Sequence, residues 1–216
     1  MRKAGDLINE YLREGRLAAN RSQPIGAGSF GTVYQSDVPG NVIKQKQGYS
    51  PYDFVEEADL QSVAADMGIA PQVAGVETFA GGVGDRIEMA DARKNHHAVT
   101  ELTPQMQIQT AQQLGQLALK GVRLEDRRAA NVMQHNMTGR PMQIDFGIAG
   151  KMDPSQQAAH LANVTAEGFE AAGIGDMGSI LRATVMDYLE GGDVAEAMDI
   201  AKQGFSRLQK IKQPYL

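Results

Sequence analysis

Three polar residues in the second half of the chain have types and spacing that suit proton transfer beside a metal. Asp126 is followed five positions later by Asn131, and Asp145 opens the triplet Asp145-Phe146-Gly147. One carboxylate can take a proton, while an amide and a second carboxylate can hold a divalent cation. The intervening residues predict two short buried strands, Asn131 to His135 and Met142 to Ile144, around the turn Thr138-Gly139-Arg140-Pro141. That hairpin would deliver Asn131 and Asp145 to one place, with Asp126 on the loop leading into it. Asp-Phe-Gly alone is a weak signal, and its plain reading is a strand that ends in a turn. The five-residue spacing of Asp126 and Asn131 makes the set more specific.

The other half of a possible site lies upstream. Ile25-Gly26-Ala27-Gly28-Ser29-Phe30-Gly31 runs into Thr32-Val33-Tyr34-Gln35, a β-rich run rather than a helix. The glycines therefore join two strands, which is not the context of a dinucleotide fingerprint. Glycines let backbone N–H groups approach phosphate oxygens with no side chain between them. The plain alternative is a hairpin whose glycines serve only its turn. After the turn Pro39-Gly40-Asn41, the run Val42-Ile43-Lys44-Gln45-Lys46 reads as the next strand. Lys44 and Lys46 share one face by the period of two.

Stepping outward, residues 4–19 have helical spacing, with Leu7, Ile8, Tyr11, Leu12 and Leu17 on one face. Residues 51–67 are helical, with acids at Glu56 and Glu57, and Gly68 ends them. Residues 73–90 make two strands around Ala80-Gly81-Gly82-Val83-Gly84. A long helix over 104–120 presents Met106, Ile108, Ala111, Leu114 and Leu117, and Gly121 stops it. Three further helices are predicted over 155–172, 177–189 and 194–211, with Gly191-Gly192-Asp193 as turn and N-cap.

In this order the motifs resemble those of the protein-kinase-like superfamily, over Ile25 to about Gly150. The compact C-terminal half is similar to that of small kinases of bacterial effectors or phages. The resemblance implies an α+β fold of two lobes. The N-lobe would be a small antiparallel sheet with one main helix, and the C-lobe a shortened, mostly helical one. The single domain would divide into an N-terminal helical extension (1–20), an N-lobe (21–90) and a C-lobe (91–216). It implies ATP and Mg²⁺ as cofactors, and a Ser/Thr hydroxyl of a protein as acceptor. Lys44 would orient the α- and β-phosphates, and Glu56 would hold Lys44, with Leu60 one turn further on the same face. Glu57 would be an ordinary surface charge. Gly26, Gly28, Ser29, Phe30, Gly31 and Val33 would cover the nucleotide. The backbone of Glu88 and Ala90 would bond the adenine, with Ile87 guarding the back of the pocket. Asp126 would accept or orient the acceptor hydroxyl, Arg128 would neutralise the transferred phosphoryl group, and Asn131 and Asp145 would bind the metal. Asp176, opening a helix, stands where such enzymes place an aspartate beneath the catalytic loop; a plain N-terminal helix charge is the alternative.

The sequence departs from that pattern at two positions. Leu124 and Glu125 replace the family's His and Arg before the catalytic Asp. Leu124 keeps packing and loses a polar contact. Glu125 removes the usual cation for an activation-segment phosphate, and no Ser, Thr or Tyr lies between Gly147 and Ser155, so activity is expected without such phosphorylation. Two alternatives remain: a small-molecule kinase of the same fold, and a nucleotide-binding pseudokinase that serves as a binding module. A protein partner that orders the abbreviated C-lobe is a further expectation.

Composition narrows the classes. A net charge of -5 argues against a general nucleic-acid or membrane-surface binder. No run is apolar enough to span a bilayer, and Asp6, Asn9 and Glu10 interrupt any signal-peptide core. The absence of cysteine excludes disulfides and thiolate chemistry. A cytoplasmic location is expected, that of a host cell if the protein is an effector. The four histidines have no zinc spacing.

Overall fold

The computed structural model describes residues 23–28, 31–46, 53–79 and 84–211. The helix expected over 4–19, the turn residues 80–83, and Ser29 and Phe30 lie outside the described residues. The architecture is α+β: an N-terminal five-stranded antiparallel sheet with one helix, then a mostly helical C-terminal part.

The sheet contains β1 (Gly26–Ala27), β2 (Gly31–Gln35), β3 (Asn41–Lys46), β4 (Val73–Glu77) and β5 (Arg86–Ala90), in the order β1-β2-β3-β5-β4. β3 alternates half-buried and buried residues, and its buried set is Val42, Lys44 and Lys46. Period two thus puts two lysines on the inner face, an expensive arrangement that demands partners. Lys46 lies 4.0 Å from Asp85, and Lys44 reaches into the site described below.

Helix α1 (Phe54–Asp66) starts where the Asp53 carboxylate accepts from the Val55 and Glu56 amides. It stops at Met67 and Gly68, whose φ of 70° suits a residue without Cβ. Phe54 sets its inner face. Stepping by three and four from Phe54 reaches Glu57, Ala58, Gln61, Ala64 and Ala65, all buried. Phe54, Ala58 and Ile87 form a small core between α1 and the sheet.

The C-terminal part begins with β6 (His96–Ala98), then α2 (Pro104–Leu119), capped by Thr103 with Pro104 in its first turn. β7 (Val122–Leu124) pairs with β10 (Ala149–Lys151), and β8 (Val132–His135) pairs with both β6 and β9 (Pro141–Gln143). The β8–β9 hairpin matches the two strands expected from the sequence to within one residue at each end. Helices α3 (Pro154–Ala171), α4 (Gly175–Glu190) and α5 (Val194–Gln209) follow, α3 opening on a capping box between Asp153 and Gln156.

Two cores hold this part. One packs α2, α3, α4 and α5 through Ala111, Leu161, Phe169, Leu181, Phe205 and Leu208. Gly115 allows the Phe205 ring to lie directly on α2, since a Cβ there would fall 2.1 Å from it. The other spans the junction: Leu60 and Ala64 of α1, Ile69, Leu114 and Leu117 of α2, Leu124, Phe146 and Val164 of α3. Leu124 is therefore packed in one cluster with Phe146. Among the described residues no helix is long and apolar enough to cross a membrane. Asp176 is exposed in the first turn of α4, where its charge suits the positive end of the helix.

Candidate functional site

Lys44 is the centre of the site. Its side chain rises from β3, opposite Val33 of β2 and Ile87 of β5, and only 7% of the residue is exposed. Its Nζ lies 2.5 Å from Glu57 Oε1 and 2.7 Å from Asp145 Oδ1, and 5.7 Å from the centre of the Phe54 ring. Burial opposes its charge, but the carboxylates of Glu57 and Asp145 outweigh that, and the ammonium is held above its ordinary pKa. Burial in turn pushes the Glu57 carboxyl up against the pull of Lys44.

Glu57, not Glu56, is the partner of Lys44. Glu57 is 3% exposed on the inner face of α1, whereas Glu56 points to solvent and contributes only its amide to the Asp53 cap. The expectation for Glu56 took Leu60 as the marker of the face. Phe54 marks it instead: Glu57 stands at i+3 from Phe54, and Leu60 stands at i+3 from Glu57. A buried acid without a partner would be costly, so the residue that reads as a surface charge is the one the fold had to pair.

Asp145 follows the β8–β9 hairpin with φ of 66°, the one described non-glycine residue in the left-handed region. Aspartate tolerates that region better than most residues, and the conformation is costly enough to mark a site. It turns the carboxylate back toward Lys44, and the Gly147 amide donates to the same Oδ1 at 3.3 Å. The second oxygen, Oδ2, faces the glycine-rich turn. A Cβ built on Gly28 would sit 3.8 Å from it. Gly28 is closed back by its own amide to the Gly31 carbonyl, and a Cβ on Gly31 would lie 2.7 Å from the Gln45 carbonyl. That glycine is thus required by the close approach of β2 and β3.

Asp126 and Asn131 complete the opposite wall. The Asn131 side-chain amide donates to the Asp126 carbonyl at 3.2 Å, and among the described residues no donor engages its Oδ1. The Asp126 carboxylate accepts two bonds from Arg128, 2.6 Å from Nε and 2.5 Å from Nη2. Those bonds hold Asp126 below the usual carboxylate range, against the small effect of burial. Arg128 is 73% exposed, so this pair faces water on one side. The neighbouring charges of the loop are engaged: Arg127 pairs with Glu167 of α3, and Arg123 lies 3.0 Å from Glu125.

Lys44, Glu57, Asp126, Arg128, Asn131 and Asp145 line one cleft of about 430 Å³ between the sheet and the helical part. Gly26, Gly28, Val33 and Val42 form its roof, and Met133 and Ile144 its floor. Gln61 and Met89 line it as well, with Asp145 beside Lys44 and with Asp126, Arg128 and Asn131 from the loop. Two residues of β5 fall differently from expectation. Ile87 packs beneath α1 with Phe54 and is not in the cleft; Met89, opposite Val42, takes the rear position. Glu88, whose backbone was expected at the adenine, is not among the residues that line the cleft; its carboxylate, on the other face of the sheet, accepts from Ser36 Oγ at 2.5 Å and Asn41 Nδ2 at 3.2 Å. Ala90 does line the cleft, but its N–H is committed to the Gln72 carbonyl at 2.8 Å.

Sequence reasoning also missed Gln61. Its amide donates to the Pro71 carbonyl at 3.0 Å and contacts Met89 Sδ at 3.4 Å, tying α1 to the rear of the cleft. The step of four from Glu57 along α1 was the available signal.

The donor set suits a hard divalent cation. Asp145 Oδ2 and Asn131 Oδ1 are oxygens that could serve as ligands on the polar side of a largely apolar cleft. Among the described residues no three His, Asp or Glu side chains form a metal cage of their own, so the shell would need water or substrate oxygens. Compared with known protein families and with curated proteins, the sequence matches none.

Proposed function

We propose that the protein is an ATP- and Mg²⁺-dependent phosphotransferase of the protein-kinase-like kind, acting on a Ser or Thr hydroxyl of a protein. The observation that carries this reading is the buried Lys44, held between Glu57 and Asp145 in a cleft that also contains Asp126 and Asn131. A lysine fixed by two carboxylates is a positioned point charge, suited to phosphate oxygens at the rear of such a cleft. Phosphoryl transfer asks little covalent chemistry of a protein, and positioned charge supplies most of the catalysis.

Each residue then has a task. Gly28, above Asp145, would cover the phosphates without placing a side chain between them and the Asp145 carboxylate. Lys44 orients the α- and β-phosphates. Asn131 and Asp145 would hold Mg²⁺, which supplies charge neutralisation for the phosphate oxygens. Asp126 accepts the hydroxyl proton as the new P–O bond forms and the bond from the γ-phosphorus to the bridging oxygen breaks, so that ADP leaves. Arg128 releases Asp126 and turns to the transferred phosphoryl group, a move its exposure permits. Only the short stretch 147–153 joins Phe146 to α3, which leaves no substrate-binding insertion there and favours a macromolecular acceptor.

The test is transfer of label from γ-labelled ATP to a generic protein acceptor, alongside the thermal shift produced by Mg²⁺-ATP. A ligand that binds only the folded state stabilises it by about 2.7 kcal/mol at one hundred times Kd. Asp145→Ala should remove most of the metal-dependent part of that shift and abolish transfer. An undiminished shift in this variant, or wild-type protein that binds no nucleotide, would overturn the reading.

A further inference from the structure

The loop that carries Asp126 is fastened from two sides. On one side β10 pairs with β7, the strand that runs into the loop, so that Ala149, Gly150 and Lys151 stand opposite Leu124, Arg123 and Val122. The Met152 amide adds a bond to the Gly121 carbonyl, and Asp153 then caps α3. Backbone pairing thus fixes most of the short stretch that follows Gly147. On the other side Arg127, directly after Asp126, donates from Nη1 to Glu167 Oε2 of α3, 40 residues away in the chain. That helix is itself anchored in both cores of the C-terminal part, through Leu161 and Phe169 in one and Val164 in the other. Residues 125–128 belong to no helix or strand and have no ladder of their own to hold them. The pairs Arg123–Glu125 and Arg128–Asp126 each span only two residues and fasten this segment to itself. Arg127 fastens it to the helical body.

From this we infer that Glu167 is a built-in anion that orders the Asp126 loop through Arg127, in place of a regulatory phosphate, so that the protein is competent without modification. A phosphorylation switch needs an arginine beside the base and an anion that can be added to meet it. Here the arginine lies after the base and the anion is a carboxylate of the chain, so the contact is permanent. A guanidinium accepts either anion in the same forked geometry. The sequence closes the other route: Glu125 would repel a phosphate, and residues 147–154 carry no hydroxyl to bear one. Arg127 and Glu167 are positioning residues, since they act through Asp126. Their side chains are 32% and 41% exposed, so the pair adds little to stability. Its effect lies in where Asp126 sits, and a misplacement of about 1 Å can cost about 10²-fold in rate. The inference rests on the phosphotransferase reading and adds how its base is held and why no switch is needed.

The experiment follows initial rates of transfer from γ-labelled ATP, using full-length protein shown by mass to be free of phosphate. The wild type should start without a lag. Arg127→Gln and Glu167→Gln should each lower kcat by about ten- to a hundredfold, with KM for ATP within about twofold of wild type. Their melting temperatures should stay within about 4 °C of wild type, as for a part-exposed pair. The exchanged pair, Arg127→Glu with Glu167→Arg, should regain most of the lost kcat, and Arg127→Lys a part of it. Glu170→Gln breaks the neighbouring pair of α3 with Arg182 and should leave kcat unchanged. A lag that pre-incubation with ATP removes, or an unchanged kcat in both single variants, overturns the inference while transfer itself stands. So does a folded exchanged pair no more active than the single variants. If the wild type transfers no phosphate, the phosphotransferase reading fails, and this inference with it.

Discussion

The two walls of the main cleft each carry an ion pair, and the pairs are built to opposite ends. Lys44, Glu57 and Asp145 form theirs in the interior, with the lysine side chain 9% and the Glu57 side chain 2% exposed. Asp126 and Arg128 form theirs across two residues of one loop, with Arg128 in water. Burial makes the first set costly to assemble and most costly to break at Lys44, whose removal leaves the buried Glu57 carboxylate without a partner. The second costs little either way, since water can replace each partner. One wall thus holds charge at a fixed place, while the other holds a base and a cation that can part from each other. The phosphoryl transfer proposed above would use both properties.

The comparison can be broken most sharply at Lys44. Lys44→Met should cost about 3–5 kcal/mol in urea denaturation, the range for removing one partner of a buried pair. Adding Glu57→Gln should recover part of that loss, and neither variant should transfer phosphate. A cost near zero would mean that the pair is solvated and the contrast between the walls false.

Next in size is Asp126→Ala, which should lower turnover by a factor of about 10²–10⁴ while nucleotide affinity and melting temperature stay close to wild type. Loss of stability comparable to that of Lys44→Met would make Asp126 a structural residue.

The two acids of α1 sharpen the same contrast within one helix turn. Glu56→Ala should change stability by no more than about 0.5 kcal/mol, as for an ordinary surface position. Glu57→Ala should be destabilising and should lower turnover as well, since Lys44 loses its inner anchor. Equal effects in chemical denaturation and in transfer would undo the assignment.

A last effect, read in the pH profile of stability and not in turnover, concerns His160 of α3, near Arg127 and Arg123. Burial first, then the charges of Arg127 and Arg123, lower its pKa to about 4 from 6.5. A folded pKa below the unfolded value means that the unfolded chain binds more protons in between. The contribution is therefore full above about pH 6.5 and is lost as pH falls toward about 4. His160→Gln should flatten the stability profile across that window; an unchanged slope would show another group to be responsible.

Much of the architecture was legible in the sequence because it rests on local chemistry. Asp53, Thr103, Asp153 and Asp193 cap helices where short polar side chains precede apolar periodicity. Gly68 and Gly121 end helices at positive φ, and the period of two in β3 places Val42 and Lys44 on one face. The candidate residues Lys44, Asp126, Asn131 and Asp145 could be named for the same reason: their spacing along the chain is itself the motif.

What tertiary structure decided is which of two adjacent, chemically equal groups faces inward. Glu56 and Glu57 have the same propensity and the same charge. Only the packing of Phe54 against Ile87 and Ala58 turns α1 so that Glu57 meets Lys44. Likewise the depth of α1 over β5 buries Ile87 and leaves Met89 in the cleft, though both lie on one strand face. The left-handed turn at Asp145 and the bidentate contact of Arg128 on Asp126 also have no counterpart in spacing or composition. A sequence states which groups are available and at what intervals. The rotation of a helix about its axis is set by side chains distant in the chain, and that rotation selected the residues of the site.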